Sequence, residues 1–185
     1  MAKETETKFY VEDPDLLRAK LAGIGARLIS RELEKDVYYS GPAGAQVTTI
    51  RLRVTDKKAV FTIKSQPEAA LSPSAKLKVL EEYQVEVADA AVFSRMMGFL
   101  GYGPQLRKEK IRETYDWRGL VICLDELPYL GYYLEIEAPE DGITSAAEAL
   151  ALDMTKAVAD TYMQIFNRYK AASRRSDLEL VFPPR

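Results

Sequence analysis

Histidine is missing from this 185-residue chain, and cysteine occurs once, as Cys123. The first absence excludes Ser-His-Asp triads, Cys-His pairs, imidazole zinc sites and any histidine base. The second excludes an internal disulfide and fits a reducing compartment. No apolar run approaches the roughly 20 residues needed to cross a bilayer. The first residues carry no basic segment followed by an apolar stretch. A cytoplasmic protein without a membrane partner is therefore expected. An excess of one charge is also lacking: 26 basic and 28 acidic residues leave a net charge of −2, so no nucleic-acid partner is expected. Whatever chemistry occurs must use carboxylates, lysine, arginine, tyrosine or a bound metal.

What is present is a folded-protein composition, 47% hydrophobic, long enough for a sizeable core. Asp13 before Pro14 signals a helix start; Leu16, Leu17, Leu21 and Ile24 keep helical spacing, and Gly23 and Gly25 end the run. The opening stretch "KETETKFYV" reads as a strand. Further strands are predicted over 33–40, 47–55, 58–65, 79–87, 106–116, 120–127 and 132–138, with "TDKK" as a hairpin turn. A second helix is predicted over 90–100, capped by Asp89 and stopped at Gly101. The stretch 145–172 reads as helix, whole or broken near Asp160–Thr161. A Pro/Ser loop is expected at 66–76, and a loosely held tail at 173–185 after a single domain over 1–172. Strand–helix–strand at 4–39 recurs at 80–115: Asp13 answers Asp89, "IG" at 24–25 answers "LG" at 100–101, and Tyr39 answers Tyr115. Two similar halves closing around something are implied.

Side chains alternate along a strand, and the polar faces here are unusual. Glu4, Glu6 and Lys8 share one face; so do Arg51 and Arg53, then Thr62 and Lys64, then Glu82, Gln84 and Glu86. Lys108, Lys110 and Arg112 follow, then Asp125, then Glu135 and Glu137. Charges run in blocks of one sign, whereas a wetted sheet face usually mixes signs because neighbouring like charges repel. Such segregation suits a charged face turned into a closed barrel, with the apolar face outward under helices. Clustered acids favour a hard divalent cation and clustered bases favour phosphate.

These residues resemble the CYTH family, the triphosphate tunnel metalloenzymes, which include class IV adenylate cyclases and thiamine triphosphatases. Glu4, Glu6 and Lys8 match its ExExK signature; "EKDVYY", "IRLR", "FTIK", "EEYQVEV", "EKIRETY", "LDEL" and "LGYYLEIE" are similar to its further motifs, in its order. "TYMQIF" at 161–166 is similar to its C-terminal helix start, and the likeness spans about 2–170.

The resemblance implies an α+β fold, an eight-stranded antiparallel β-barrel with helices packed on its outside. It implies Mg²⁺ or Mn²⁺ on Glu4, Glu6, Glu135 and Glu137, with Asp125 as a metal ligand or the group that orients a nucleophile. Glu82 is implied as a second metal ligand or a lock on a basic neighbour. Lys8, Arg51, Arg53, Lys64, Lys110 and Arg112 are implied as the triphosphate cradle, and Lys8, Lys110 and Asp125 as the catalytic set; Lys108 points inward by parity. Hydrolysis of a triphosphate is favoured, because the acid set is complete and the histidine-containing start of some cyclases is missing. Cyclisation of ATP is the alternative, and a non-catalytic polyphosphate- or nucleotide-binding module the third reading. The partner is a triphosphate-containing small molecule, and the protein a monomer or homodimer. Cys123, Trp117 and Tyr115 are expected in the core; Tyr38 and Tyr39 either pack or stack on a ligand. The 66–76 loop or the C-terminal helix is a candidate lid.

Overall fold

The computed structural model describes residues 5–40, 47–65, 81–158, 160–175 and 177–183. Glu4, the 66–76 loop and positions 79–80 lie outside the described residues. The elements are β1 (Thr5–Val11), α1 (Pro14–Gly23), β2 (Arg27–Tyr39), β3 (Val47–Val54), β4 (Ala59–Ser65) and β5 (Glu81–Val87). There follow α2 (Ala90–Phe99), β6 (Pro104–Trp117), β7 (Leu120–Leu127), β8 (Gly131–Ala138), α3 (Glu140–Ala149), a 3₁₀ turn Met154–Lys156 and α4 (Tyr162–Ser173). The strands form an eight-stranded antiparallel sheet in the order β1-β8-β7-β6-β2-β3-β4-β5. That order has two ends, so the sheet is shown and its closure into a barrel is not. Alternation sets which face a side chain takes, whereas closure depends on strand tilt and stagger.

The chain divides into two compact units, Met1–Leu33 with Lys110–Arg185, and Glu34–Glu109. In the first, Phe9, Ile122, Leu124, Leu134 and Ile136 come from one side of the sheet and pack with Leu17 and Leu21 of α1 and Ile143, Ala146 and Leu150 of α3. In the second, Tyr39, Ile50, Leu52 and Ala59 pack with Met97 of α2, and Phe61 and Phe93 join them. Each core is the apolar half of an alternating pattern, which is why the other half is charged. Trp117 and Tyr115 are buried as expected, the indole donating to the Ile24 carbonyl at 3.1 Å and the phenol to Glu113 at 2.7 Å. Glu113 is a carboxylate buried on this apolar side; Arg18 grips it twice, at 2.9 and 3.0 Å.

The repeat is real at the level of backbone geometry. Asp13 accepts from the amides of Asp15 and Leu16, and Asp89 from those of Ala91 and Val92, all at 2.9–3.0 Å. Gly25 and Gly101 close the two helices at φ +79° and +85°, a conformation that disfavours a Cβ. Asp13→Ala and Asp89→Ala are each expected to lower stability by about 1 kcal/mol in urea unfolding. A loss well below that from either would show that water replaces the cap.

A helix starts afresh just after Asp160–Thr161, as the broken reading of 145–172 expected, with Thr161 capping α4. The preceding part departs from expectation: α3 starts at Glu140 and ends before Ala151, which has φ +51°. Asp153 and Thr161 then each cap a new turn, so helix-start chemistry interrupts the apolar periodicity. Between them Val158 pairs with Lys8, exchanging backbone hydrogen bonds of 2.7 and 3.2 Å. Helix α4 also takes an unexpected side. Its Tyr162 and Phe166 pack with Leu127 and Tyr133, which share alternation parity with Asp125 and Glu135, so α4 covers part of the ionic side. Within the tail, Leu180 is fully buried in the same cluster, because its apolar side chain has an apolar seat there.

Candidate active site

Antiparallel register builds the site of the first unit. β1 lies on β8 with Glu6 opposite Glu137 and Lys8 opposite Glu135. β8 lies on β7 with Glu135 opposite Cys123, and β7 on β6 with Asp125 opposite Arg112. Four strands therefore place their charged residues on one side of the sheet. Carboxylate oxygens of Glu6, Glu135 and Glu137 all lie within 4.8 Å of one another.

Lys8 and Arg112 hold these acids, and Lys110 joins Arg112 on the neighbouring Asp125. Lys8 Nζ is 2.7 Å from Glu6 and 3.2 Å from Glu135. Arg112 donates through Nε and Nη2 to the two oxygens of Asp125 at 2.7 and 2.6 Å, and through Nη2 to Glu135 at 2.6 Å. Lys110 Nζ is 3.0 Å from Asp125 Oδ2, and the Tyr162 hydroxyl donates to the same oxygen at 2.8 Å. Asp125 thus stands apart from the three glutamates; its oxygens are engaged by Arg112, Lys110 and Tyr162, and it is fully buried.

The protonation pattern follows from these contacts. Burial pushes the Asp125 and Glu135 carboxyls up, but the adjacent Lys110 and Arg112 outweigh it and hold both below the usual carboxylate range. Glu137 behaves oppositely. Burial, then the hydrogen bond and negative charge of Glu135, raise it to about 7 against the relief from Arg112. Burial beside a second carboxylate thus favours the protonated form of Glu137.

The second unit carries its own charged face. Arg53 grips Asp36 with Nε and Nη2 at 2.7 and 3.0 Å, and Glu34 with Nη1 at 2.9 Å. Lys108 Nζ also reaches Asp36, at 3.0 Å. Lys64 pairs with Glu82 at 2.7 Å. Arg51 contacts Thr62 at 3.4 Å, and its Nε is buried with no hydrogen-bond partner among the described residues. Tyr38 is half-buried on this face with Lys108 over its ring at 5.6 Å, whereas Tyr39 is buried and bonded to Ser94 at 2.9 Å.

A model of the CYTH domain matches residues 2–162. The chain belongs to the CYTH family. A Methanocaldococcus jannaschii protein named "Putative adenylate cyclase MJ0240" is 26% identical over 137 residues, which span 72% of this chain and 75% of that protein. A conserved hypothetical protein from Pyrococcus furiosus superposes with TM-score 0.71 at 19% identity, covering 88% of this chain and 99% of the other. A Hippeastrum protein, described as a "putative adenylyl cyclase" with a dominant triphosphatase activity, superposes with TM-score 0.59 at 17% identity, over 90% and 96% of the two chains. At these identities the two structures speak for the fold alone.

Of the acids implied as metal ligands in this CYTH chain, Glu6, Glu135 and Glu137 come together. Glu82 belongs to the second unit, beside Lys64, and Glu4 lies outside the described residues. The trio fits a divalent cation: its donors are hard oxygens, and the proton retained by Glu137 marks negative charge that a cation would neutralise. Cys123 is a core residue, as expected. It is buried, but register puts it on the ionic side, where burial pushes the thiol up to about 12. Three residues escaped the sequence reading. Glu34 and Asp36 share a strand face with Tyr38, so the same counting of faces could have found them. Tyr162 follows the capping residue of a T-x-x-Q box, Thr161 to Gln164, a signal that marks the helix start and not the contact with Asp125.

Glu137 gives a stability profile with a definite sign. Its folded value of about 7 exceeds its ordinary 4.5, so the folded state binds the proton more tightly. That stabilisation is full below about 4.5 and lost as pH rises through about 7. In chelator, the melting temperature is expected to fall between pH 5 and pH 8.5, and millimolar Mg²⁺ to flatten the decline. A flat profile in chelator would contradict the crowding of these acids.

Proposed function

We propose that this CYTH protein hydrolyses a triphosphate with a divalent cation, Mg²⁺ or Mn²⁺, held on Glu6, Glu135 and Glu137. The observation that carries the reading is the contact of three crowded carboxylates with two fixed cations, Lys8 and Arg112, with Lys110 alongside on Asp125. A pure anion sink has no use for such acids, and a pure metal buffer has none for the cations.

Glu6, Glu135 and Glu137 would hold the cation, and its charge would supply neutralisation of the phosphates. The protein's own part is placement. Phosphoryl transfer needs positioning and charge stabilisation more than covalent help, which suits a chain without histidine. Arg112 presents a planar fork to phosphate oxygens, and Lys8 and Lys110 act as point charges. Asp125 is assigned to hold Arg112 and Lys110 in register. Arg51, Arg53 and Lys64 of the second unit are assigned to phosphate binding on the same chemistry, Arg51 with a buried Nε that has no hydrogen-bond partner among the described residues. The Hippeastrum relative's described triphosphatase activity agrees with this reading.

Conversion of ATP to cyclic AMP and pyrophosphate is the second reading, favoured by the name of the Methanocaldococcus relative. One experiment separates them. Purified protein is incubated with Mg²⁺ or Mn²⁺ and, in turn, tripolyphosphate, thiamine triphosphate and ATP. Free phosphate supports hydrolysis. Cyclic AMP with pyrophosphate supports cyclisation, and tight binding without turnover overturns both.

A further inference from the structure

We propose that Tyr162 is a positioning residue whose aromatic ring holds the ammonium groups of Lys8 and Lys110 in place for an incoming polyphosphate. The proposal rests on the reading above and extends it to a residue outside the charged strands.

Tyr162 is the first residue of α4 and only 5% exposed. Its ring centroid is 5.4 Å from Lys8 Nζ and 5.5 Å from Lys110 Nζ, both within the range of a cation–π contact. The two lysines come from different strands, β1 and β6, so a single ring is common to both. Its hydroxyl donates to Asp125 Oδ2, the oxygen that also receives Lys110 and Arg112. The ring is itself fixed. Tyr133 meets it edge-on at 5.6 Å and 69°, and the Thr161–Gln164 box fixes the backbone on which it stands.

Packing alone would not require this arrangement, since an aliphatic side chain could fill the space beside Phe166 and Leu180. The chemistry adds a reason. Lys8 is otherwise held by Glu6 and Glu135, the same acids that fit a cation. Once those acids turn to a metal, Lys8 loses its ionic partners while the ring contact persists. An ammonium on a four-carbon stem would then be free to wander; the ring keeps it where a phosphate can reach it.

The test uses the full chain with Tyr162→Phe, which keeps the ring, and Tyr162→Met, which removes it at similar volume. Tripolyphosphate binding is measured by calorimetry with Ca²⁺ in place of Mg²⁺, and hydrolysis with Mg²⁺. The Met variant is expected to bind about tenfold more weakly and to raise KM about tenfold, the size of two lost cation–π contacts, with kcat within threefold of wild type. The Phe variant is expected to stay within twofold of wild type in binding and KM. A Met variant with wild-type affinity, or a Phe variant as weak as Met, overturns the proposal. A merely structural role would lower the active fraction, hence kcat, and leave KM alone. If the wild type neither binds nor hydrolyses tripolyphosphate, the functional reading fails. The ring is then judged by NMR. Upfield-shifted ε-methylene protons of Lys8 and Lys110 are expected in the wild type and in Tyr162→Phe; their absence from the wild type overturns the proposal whether or not the Met variant folds.

Discussion

Asp125→Ala is expected to destabilise the protein by about 3–5 kcal/mol, because removing one partner from a buried ionic set leaves the others uncompensated. Arg112 donates to Asp125 twice, and Lys110 and Tyr162 donate once each. Asp125 is fully buried, and Lys110 has only 3% of its side chain exposed. Alanine would take the Asp125 carboxylate from Lys110 and leave Arg112 with Glu135 and the more distant Glu137. Adding Lys110→Met to Asp125→Ala should cost less than the sum of the two single changes, because the two sites are in contact and their effects should not add. Urea unfolding of the single and double variants measures this. A loss below about 1 kcal/mol for Asp125→Ala would mean that the set relaxes towards water.

The acids that fit a cation should behave in the opposite way, with stability and activity moving apart. Glu137→Gln removes a carboxylate that is already pressed to hold a proton beside Glu135 and Glu6. In chelator at pH 8 the variant is expected to melt higher than wild type, since one repelling charge is gone. With Mg²⁺ the order should invert, and the gain that the wild type draws from the cation should shrink. Glu6→Ala should leave the fold intact, as the Glu6 side chain is about half exposed. It is expected to lower metal-dependent turnover by about 100-fold or more, the scale of losing one preorganised electrostatic contact. Melting curves with and without Mg²⁺, together with phosphate release, read both effects. Unchanged turnover in Glu6→Ala, or a Glu137→Gln variant stabilised by Mg²⁺ as much as wild type, would remove the cation from these residues.

Most of the site could be read before any coordinates because it is written in a two-residue period. Glu6 with Lys8, Lys110 with Arg112, and Glu135 with Glu137 each share a strand face, and each pair lies where alternation puts it. The helix starts were equally legible: Asp13 and Asp89 act on amides two and three residues away. Capping is local, so sequence suffices.

What could not be read was long-range. Asp125 is expected as a metal ligand or a nucleophile's guide while its neighbours are unknown. Its oxygens are engaged from positions 13, 15 and 37 residues away. The side of the sheet that α4 covers could not be deduced either, since Tyr162 and Phe166 would suit an apolar cluster on either face.

Sequence alone determined which residues face together and where α1 and α2 begin, because strand alternation and side-chain capping act within a few residues. Tertiary structure alone decided which acid meets which base, that Tyr162 joins Lys8 to Lys110, and that Leu180 is buried. Those outcomes depend on cross-strand register and on helix docking, and no local pattern encodes either.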